Sequence, residues 1–377
     1  MRSVLMQDRE VRVAEVDDPE PGPGEVVVDV LACGVCGSDL HCAAHGAEFN
    51  AATRNALGVE LMDLSRPVSF GHEFVGAISE YGACTQQTLP IGTRVVSMAA
   101  LLRETPAFVG FCGPEIPGGY SERMLLSEPL LMPVPDHVDT AVAALTEPLA
   151  VASRAVAKAQ LGPDDVALVV GCGPIGLAVL AVLRSRGVHP IVAADFSAAR
   201  RELAGRMGAD VVVDPAQSSP YAAWAEVAAT DDAERMTEPT AVLGQLPLRP
   251  TVAFECVGVP GMIQQVIAGA PAASRIVVAG LCMNTDSFSP TEAVLKEIDV
   301  RFSLMYSPDQ FFAVFDELCA GKLDVAPMIT RSVSLDEVPE TFARLSSGPV
   351  DTKILVDPSK AAPADVSRQV DVTPAEV

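Results

Sequence analysis

Val166-Ala167-Leu168-Val169-Val170-Gly171-Cys172-Gly173-Pro174-Ile175-Gly176 decides the fold of this 377-residue chain. Five apolar residues, three of them β-branched, read as a strand buried on both faces of a parallel sheet. Gly-x-Gly-x-x-Gly follows at once, and the Ala/Leu-rich run behind it predicts a helix to about Arg186. The three glycines serve different needs. Gly171 permits the tight turn, Gly173 lets backbone amides approach a pyrophosphate, and Gly176 lets the helix pack closely on the strand. The phosphates would meet the turn at Pro174 and Ile175, at the helix N-terminus, where amides point outward. The whole stretch from Val166 to Leu183 carries no charge. Its ordered glycines and proline divide it into strand and helix, which argues against a membrane span.

A second strand, Pro190-Ile-Val-Ala-Ala194, ends in Asp195, nineteen residues beyond Gly176. A carboxylate there can accept hydrogen bonds from the adenosine ribose and repels a 2′-phosphate, so NAD is favoured over NADP. Arg200 and Arg201 are the side chains that could receive a phosphate instead. The competing use of Asp195 is as N-cap of a helix starting near Ser197. Further strands are expected at Val211–Val213, Thr251–Phe254, Arg275–Ala279 and Val300–Ser303, separated by Ala-rich helical stretches. That alternation makes a doubly wound α/β domain. Residues 214–250 are long for a connection, carry Pro220, Pro239, Pro247 and Pro250, and read as a surface excursion anchored by Trp224.

Upstream, Cys36-Gly-Ser38-Asp39-Leu-His41, Gly71-His72-Glu73 and Thr146-Glu147-Pro-Leu149 supply a thiolate, an imidazole and carboxylates from separate segments. This is the ligand set of a zinc ion that keeps one position open for substrate. Cys36 alone reads as a small buried hydrophobe. The polar run behind it, in a chain of only five histidines, points to metal chemistry.

The residues around these motifs are β-rich, with runs at Glu25–Leu31, Phe74–Ser79 and Thr93–Ser97 between Gly and Pro turns. Beyond the nucleotide domain, Phe311–Leu318 reads as an amphipathic helix and Lys353–Val356 as a strand, so the chain is expected to return to its first domain. The expected organisation is a catalytic domain over 1–155, completed by about 305–357, a nucleotide domain over 156–304, and a flexible tail over 358–377. A cleft between the two domains is the expected site.

A net charge of −23 argues against nucleic-acid partners and offers no basic face to a membrane. The segment Met1–Glu10 has no apolar core of a signal peptide, and nine cysteines without one suggest free thiols in a reducing compartment. A cytoplasmic location is expected.

With these residues in view, the chain resembles the zinc-dependent medium-chain dehydrogenase/reductase superfamily, the group of alcohol, sorbitol, butanediol and threonine dehydrogenases. The landmarks run almost end to end: Gly34-Val-Cys36-Gly-Ser-Asp-Leu-His41, Gly71-His-Glu73, Gly92-Thr-Arg-Val-Val96, Gly118-Gly-Tyr-Ser-Glu122, Glu147-Pro-Leu-Ala150, the loop at 171–176 and Phe254-Glu-Cys-Val-Gly258. The resemblance implies a GroES-like β-barrel catalytic domain beside a Rossmann nucleotide-binding domain. It implies that Cys36, His72 and Glu147 bind a catalytic zinc, with Glu73 as the other carboxylate able to ligate it, and that Asp39 orients His72. Relatives with a structural zinc carry four close cysteines after the Gly-x-Arg-Val strand. Between Ser97 and Tyr120 this chain has only Cys112, so one catalytic zinc and no structural zinc is expected. The thirty-six positions from Cys36 to His72 are more than the group needs, and the extra residues fall around Ala47 to Val68, as a border of the substrate mouth or a simple surface insertion.

The implied reaction is reversible NAD-linked oxidation of a secondary alcohol, diol or polyol to a carbonyl compound. Ser38 would take the alcohol proton and pass it, through a cofactor ribose hydroxyl, to His41, whose ordinary pKa suits release near neutrality. The resemblance also implies a homodimer or homotetramer. The rival readings are a zinc-free NAD(P)H-dependent quinone or enoyl reductase of the same fold, whose members lack these ligands, and a nucleotide-binding protein without turnover.

Overall fold

The computed structural model describes residues 1–232, 234–236, 247–346, 351–363, 367 and 369–372. The chain divides into two units, Met1–Glu147 with Ile329–Val377, and Pro148–Met328. Each has its own hydrophobic core.

The first unit opens with strands β1 (Arg2–Gln7), β2 (Glu10–Glu15) and β3 (Glu25–Gly34), followed by helix α1 (Gly37–Leu57). Strands β4 (Val68–Phe70), β5 (Glu73–Tyr81), β6 (Arg94–Val96), β7 (Ala100–Leu101), β8 (Ala107–Phe108), β9 (Phe111–Cys112), β10 (Arg123–Ser127) and β11 (Met132–Pro133) follow, then helix α2 (Thr140–Ala143). Helix α3 (Thr146–Ala159) carries the chain into the second unit. There, strands β12 (Val166–Val170), β13 (Ile191–Ala194), β14 (Val211–Val213), β15 (Thr251–Glu255), β16 (Arg275–Val278) and β17 (Asp299–Phe302) are joined through helices α4 (Pro174–Ser185), α5 (Ala198–Arg206), α6 (Pro220–Ala228), α7 (Met262–Gly269) and α8 (Pro290–Leu295), with α9 (Pro308–Cys319) after the last strand. Strand β18 (Ile329–Val333), helix α10 (Val338–Ser346), and strands β19 (Lys353–Val356) and β20 (Gln369–Asp371) return to the first unit.

All strands of the second unit run parallel, in the order β14-β13-β12-β15-β16-β17. This is the 3-2-1-4-5-6 order of a dinucleotide fold, with the reversal of winding between β12 and β15. Every residue of β12 and β15 is buried, which explains the unbroken apolar run of β12 and the apolar centre Val252-Ala-Phe254 of β15. The first unit holds a five-stranded sheet, β20-β2-β1-β4-β9, and a larger one, β11-β6-β5-β3-β19-β18 with β10 also on β3. Its strands are antiparallel except for the β18–β19 pair, in keeping with a GroES-like domain.

At four places the structure differs from or adds to the sequence reading. Residues 37–57, read as part of a β-rich region, form the long α1, kinked at His45 and closed by Gly58 in the left-handed conformation (φ 76°). Much of the extra length between Cys36 and His72 is therefore helix, and Asn50 ties the returning chain down by accepting from Met62 N–H at 3.1 Å and donating to Met62 O at 2.6 Å. The 214–250 stretch is not wholly a surface excursion. Helix α6 packs on the parallel sheet, and its Trp224 is fully buried with Nε1 donating to Val166 O at 3.0 Å. Residues 233 and 237–246 of that stretch, including Pro239, lie outside the described residues. In the tail, β20 pairs antiparallel with β2 and Val372 is buried, although Pro374 and its neighbours are outside the described residues. Finally, the unit boundaries fall within the start of α3 and after α9, where the expectation ran through 155 and 305. The amphipathic α9 buries Phe311, Val314, Phe315 and Leu318, and Arg154 of α3 donates to Gln310 of α9, so both helices go with the parallel sheet.

No helix among the described residues is long and apolar enough to cross a membrane.

Candidate active site

The register of the larger sheet brings the metal-type residues to one end. Gly34, the last residue of β3, faces Glu73, the first of β5, and β19 lies along the other edge of β3. Gly34 leaves room for the Glu73 carboxylate, since a Cβ there would run into Glu73 Oε2 and force it to shift. Just beyond β3, Cys36 is the N-cap of α1, so its side chain is held at a helix start. Gly71, between β4 and β5, has φ 101°, and a Cβ there would meet Tyr120 N at 2.7 Å. That turn delivers His72 and Glu73 into the interior.

Cys36, His72 and Glu73 bring ligand atoms within 4.8 Å of one another, the one such group of three or more metal-type residues among the described residues. Ser38 Oγ donates to Cys36 Sγ at 3.1 Å and lies 3.4 Å from His72 Nε2. The other imidazole nitrogen, Nδ1, is 3.2 Å from Asp39 Oδ1, and neither atom finds any other partner. Burial alone would lower the His72 pKa, but the charges of Asp39 and Cys36 outweigh it and hold the imidazolium well above its ordinary value. A bound cation would take the place of that proton. The imidazole stacks on Phe111, with centroids 5.3 Å apart.

Sequence reasoning missed Lys353. Its Nζ donates to both carboxylate oxygens of Glu73, at 2.8 and 2.6 Å, and to Val35 O at 3.1 Å. Both side chains are 1% exposed. Burial works against the lysine charge, yet Glu73, Cys36 and Glu147 raise its pKa above the ordinary value. The only signal in the sequence was a lysine opening the apolar run Lys353-Ile-Leu-Val356, which a surface strand end would equally explain. Tyr120, likewise unassigned from sequence, is fully buried, and its Oη donates toward Asp39 Oδ2 at 2.5 Å.

Glu147, buried at the start of α3, is not in the close group with Cys36, His72 and Glu73. It is near enough to contribute to the field at Lys353. Glu73, Glu147 and the Cys36 sulfur act on a single buried lysine, and Asp39 stands against His72. That surplus of anionic and soft donors, with an imidazole already oriented by a carboxylate, fits a divalent zinc ion. His41 is half-buried on α1, and burial together with the charge of His45 one turn further on pushes it below its ordinary 6.5, where the sequence reading took the ordinary value.

In the second unit the glycine loop has the expected form. Gly171 has φ 88°, Gly173 is the N-cap of α4, Pro174 opens the helix with Ile175 behind it, and a Cβ on Gly176 would collide with Gly171 O. Asp195 closes β13 beside this loop. Its Oδ2 accepts from Cys172 N–H and its Oδ1 from Ser197 N–H, both at 2.8 Å. The helix cap falls to Ser197, whose Oγ accepts from Arg200 N–H, so Asp195 is not itself the N-cap. Arg201 is occupied by Asp214 and by the carbonyls of Asp195 and Phe196. Arg200 stands 4.0 Å from Asp195, and its Nε is buried without a partner.

A family model described as alcohol dehydrogenase GroES-like domain matches residues 22–136, and one described as zinc-binding dehydrogenase matches 174–320. The (R,R)-butanediol dehydrogenase of Bacillus subtilis is 32% identical over 362 residues, covering 93% of this chain and 97% of the relative. The chain belongs to the zinc-dependent medium-chain dehydrogenase/reductase superfamily. Other members of the superfamily agree. Human sorbitol dehydrogenase is 28% identical over 368 residues, covering 94% of this chain and 95% of the relative. A crystal structure of 2R,3R-butanediol dehydrogenase from Bacillus subtilis superimposes with a TM-score of 0.76 at 29% identity, covering 95% of this chain and 99% of the other. A Sinorhizobium meliloti protein described as a zinc-binding dehydrogenase, solved bound to NADP, gives a TM-score of 0.74 at 26% identity, with coverage of 95% and 99%. As a member of this superfamily, the protein is an oxidoreductase of the alcohol dehydrogenase type.

Proposed function

We propose that this protein is a zinc-dependent dehydrogenase that uses NAD to interconvert a secondary alcohol, diol or polyol and its carbonyl product. The observation that carries the reading is the convergence of half-buried Cys36 with buried His72 and Glu73 to within 4.8 Å, backed by Asp39. Zinc there would lower the pKa of a bound hydroxyl towards neutrality, and the nicotinamide would carry the hydride. Cys36 and His72 would hold the ion, with Glu73 as the nearer carboxylate and Glu147 as the alternative one. Asp39 keeps a proton on His72 Nδ1 and so leaves Nε2 as the donor atom. Ser38, in contact with Cys36 Sγ, would take the substrate proton, and His41 would be its final acceptor. Burial and the charge of His45 favour the neutral form of His41, which has a ring nitrogen free to take up that proton.

The glycine loop with Pro174 and Ile175 receives the pyrophosphate, and Asp195, still able to accept further hydrogen bonds, receives the adenosine ribose. The negative charge of Asp195 and the commitment of Arg201 to Asp214 support NAD; Arg200 is the cation left beside the ribose position. The butanediol and sorbitol relatives support a diol or polyol as substrate. Elemental analysis of the purified protein is expected to find one zinc per chain. A panel of secondary alcohols, diols and polyols should show turnover with kcat/KM for NAD at least about tenfold above that for NADP, a free-energy difference of about 1.4 kcal/mol. A zinc-free preparation that reduces quinones or enoyl compounds would replace this reading with the reductase one.

A second copy of the chain is the proposed protein partner. Strand β17 is the last of the parallel sheet, and Phe302, Leu304, Val294 and Leu295 around it are all more than 60% exposed. An apolar open strand edge favours pairing with another strand. Light scattering should give two or four times 39.4 kDa, and a monomer mass would remove this part of the reading. Nine free thiols are in keeping with a reducing, cytoplasmic setting.

A further inference from the structure

We propose that Tyr120 is a positioning residue for His72, acting through Asp39. The proposal rests on the reading that His72 is a metal ligand. Tyr120 and Asp39 are both 0% exposed, so neither group has water as an alternative partner. The two oxygens of Asp39 do different things. Oδ2 accepts from Tyr120 Oη at 2.5 Å and from Cys36 N–H at 3.3 Å, while Oδ1 faces His72 Nδ1 alone at 3.2 Å.

An aspartate carboxylate turns easily about its last torsion, whose wells are broad. Two donors on one oxygen stop that rotation and leave the other aimed at the imidazole. Of the two, the phenol is the closer, and a hydrogen bond from a neutral hydroxyl to a carboxylate is about twice as strong as one between neutral groups. Burial and the charge of Asp39 keep the phenol protonated, so it remains a donor. Gly34 O, 3.0 Å from the same Oη, is a weaker acceptor that fixes the hydroxyl beside the end of β3.

The ring of Tyr120 is placed independently of its hydroxyl. It meets Phe342 edge to face at 6.1 Å, and its backbone N–H donates to Phe70 O at 3.1 Å, two residues before His72. Tyr120→Phe therefore removes the donor and keeps the packing. The structure thus separates the role of the hydroxyl from that of the ring.

Chelator competition on the zinc-loaded protein should show Tyr120→Phe losing zinc affinity by about three- to tenfold, and Asp39→Asn by about 10- to 100-fold, the range for groups that orient a metal ligand. In the Asp39→Asn background, Tyr120→Phe should add nothing, because both act along one route. A purely structural role would give equal losses in both backgrounds and overturn the proposal, as would undiminished affinity in Tyr120→Phe. The link is also read without metal, in the 15N NMR signals of the His72 ring: Tyr120→Phe is expected to shift them, and an unchanged spectrum overturns it. If the wild-type protein takes up no zinc while the ring signals do shift, the metal reading fails and the Tyr120–Asp39–His72 connection stands.

Discussion

Cys36→Ala is expected to empty the metal site and cut alcohol turnover by at least about a thousandfold. Lewis-acid stabilisation of developing charge is worth several kcal/mol, and each 1.36 kcal/mol is a factor of about ten in rate. The thiolate is the softest donor in the group, and nothing else within it can replace that contact. Cofactor binding should survive, because Gly171, Gly173, Gly176 and Asp195 all belong to the other unit, with its own core. Zinc content by elemental analysis and NADH affinity by fluorescence titration separate the two effects. Full activity in a zinc-free Cys36→Ala protein would defeat the proposed chemistry.

Lys353→Met is expected to be among the most destabilising single changes in the first unit. It leaves the Glu73 carboxylate buried with its cation gone, and breaking such a pair costs about 3–5 kcal/mol. For a unit of this size that is a fall of roughly 6–20 °C in its unfolding midpoint, read by calorimetry. The double variant Lys353→Met with Glu73→Gln should recover much of the loss, because no uncompensated charge remains. A Lys353→Met protein as stable as the wild type would overturn the reading of a buried ion pair. The pair should be insensitive to pH across the neutral range. The folded pKa of Lys353 lies above its ordinary 10.5, so the lysine's contribution is complete below that value and is lost only as pH rises through the higher folded one.

The legible parts of the site were those with local chemistry. The strand-turn-helix at 166–176 is specified by neighbours in sequence: a run of apolar residues, a glycine that must take a left-handed φ, and a glycine with no room for a Cβ. The strands Val166–Val170, Val211–Val213 and Lys353–Val356 lie where the apolar runs place them. Likewise Cys36, Ser38 and Asp39 share one helix start, and His72 and Glu73 share one turn, so their residue types and order already suggested a metal.

Long-range partners were not legible. Helix α1 was missed because its first residues carried the motif while its later ones, rich in Ala and Asn, showed no clear apolar face. Nothing in Lys353 or Tyr120 announces a partner 280 or 81 positions away. The tail strand β20 depends on an edge of β2 that no local pattern could foretell. By itself the sequence determined the nucleotide fold, the superfamily and the candidate zinc ligands, because backbone conformation and ligand chemistry are properties of a few adjacent residues. Tertiary structure alone decided that Glu73 is clamped by Lys353, that Asp39 is shared between Tyr120 and His72, and that Glu147 stands outside the close group. Those are questions of desolvation and distance, which strand register settles and sequence separation does not encode.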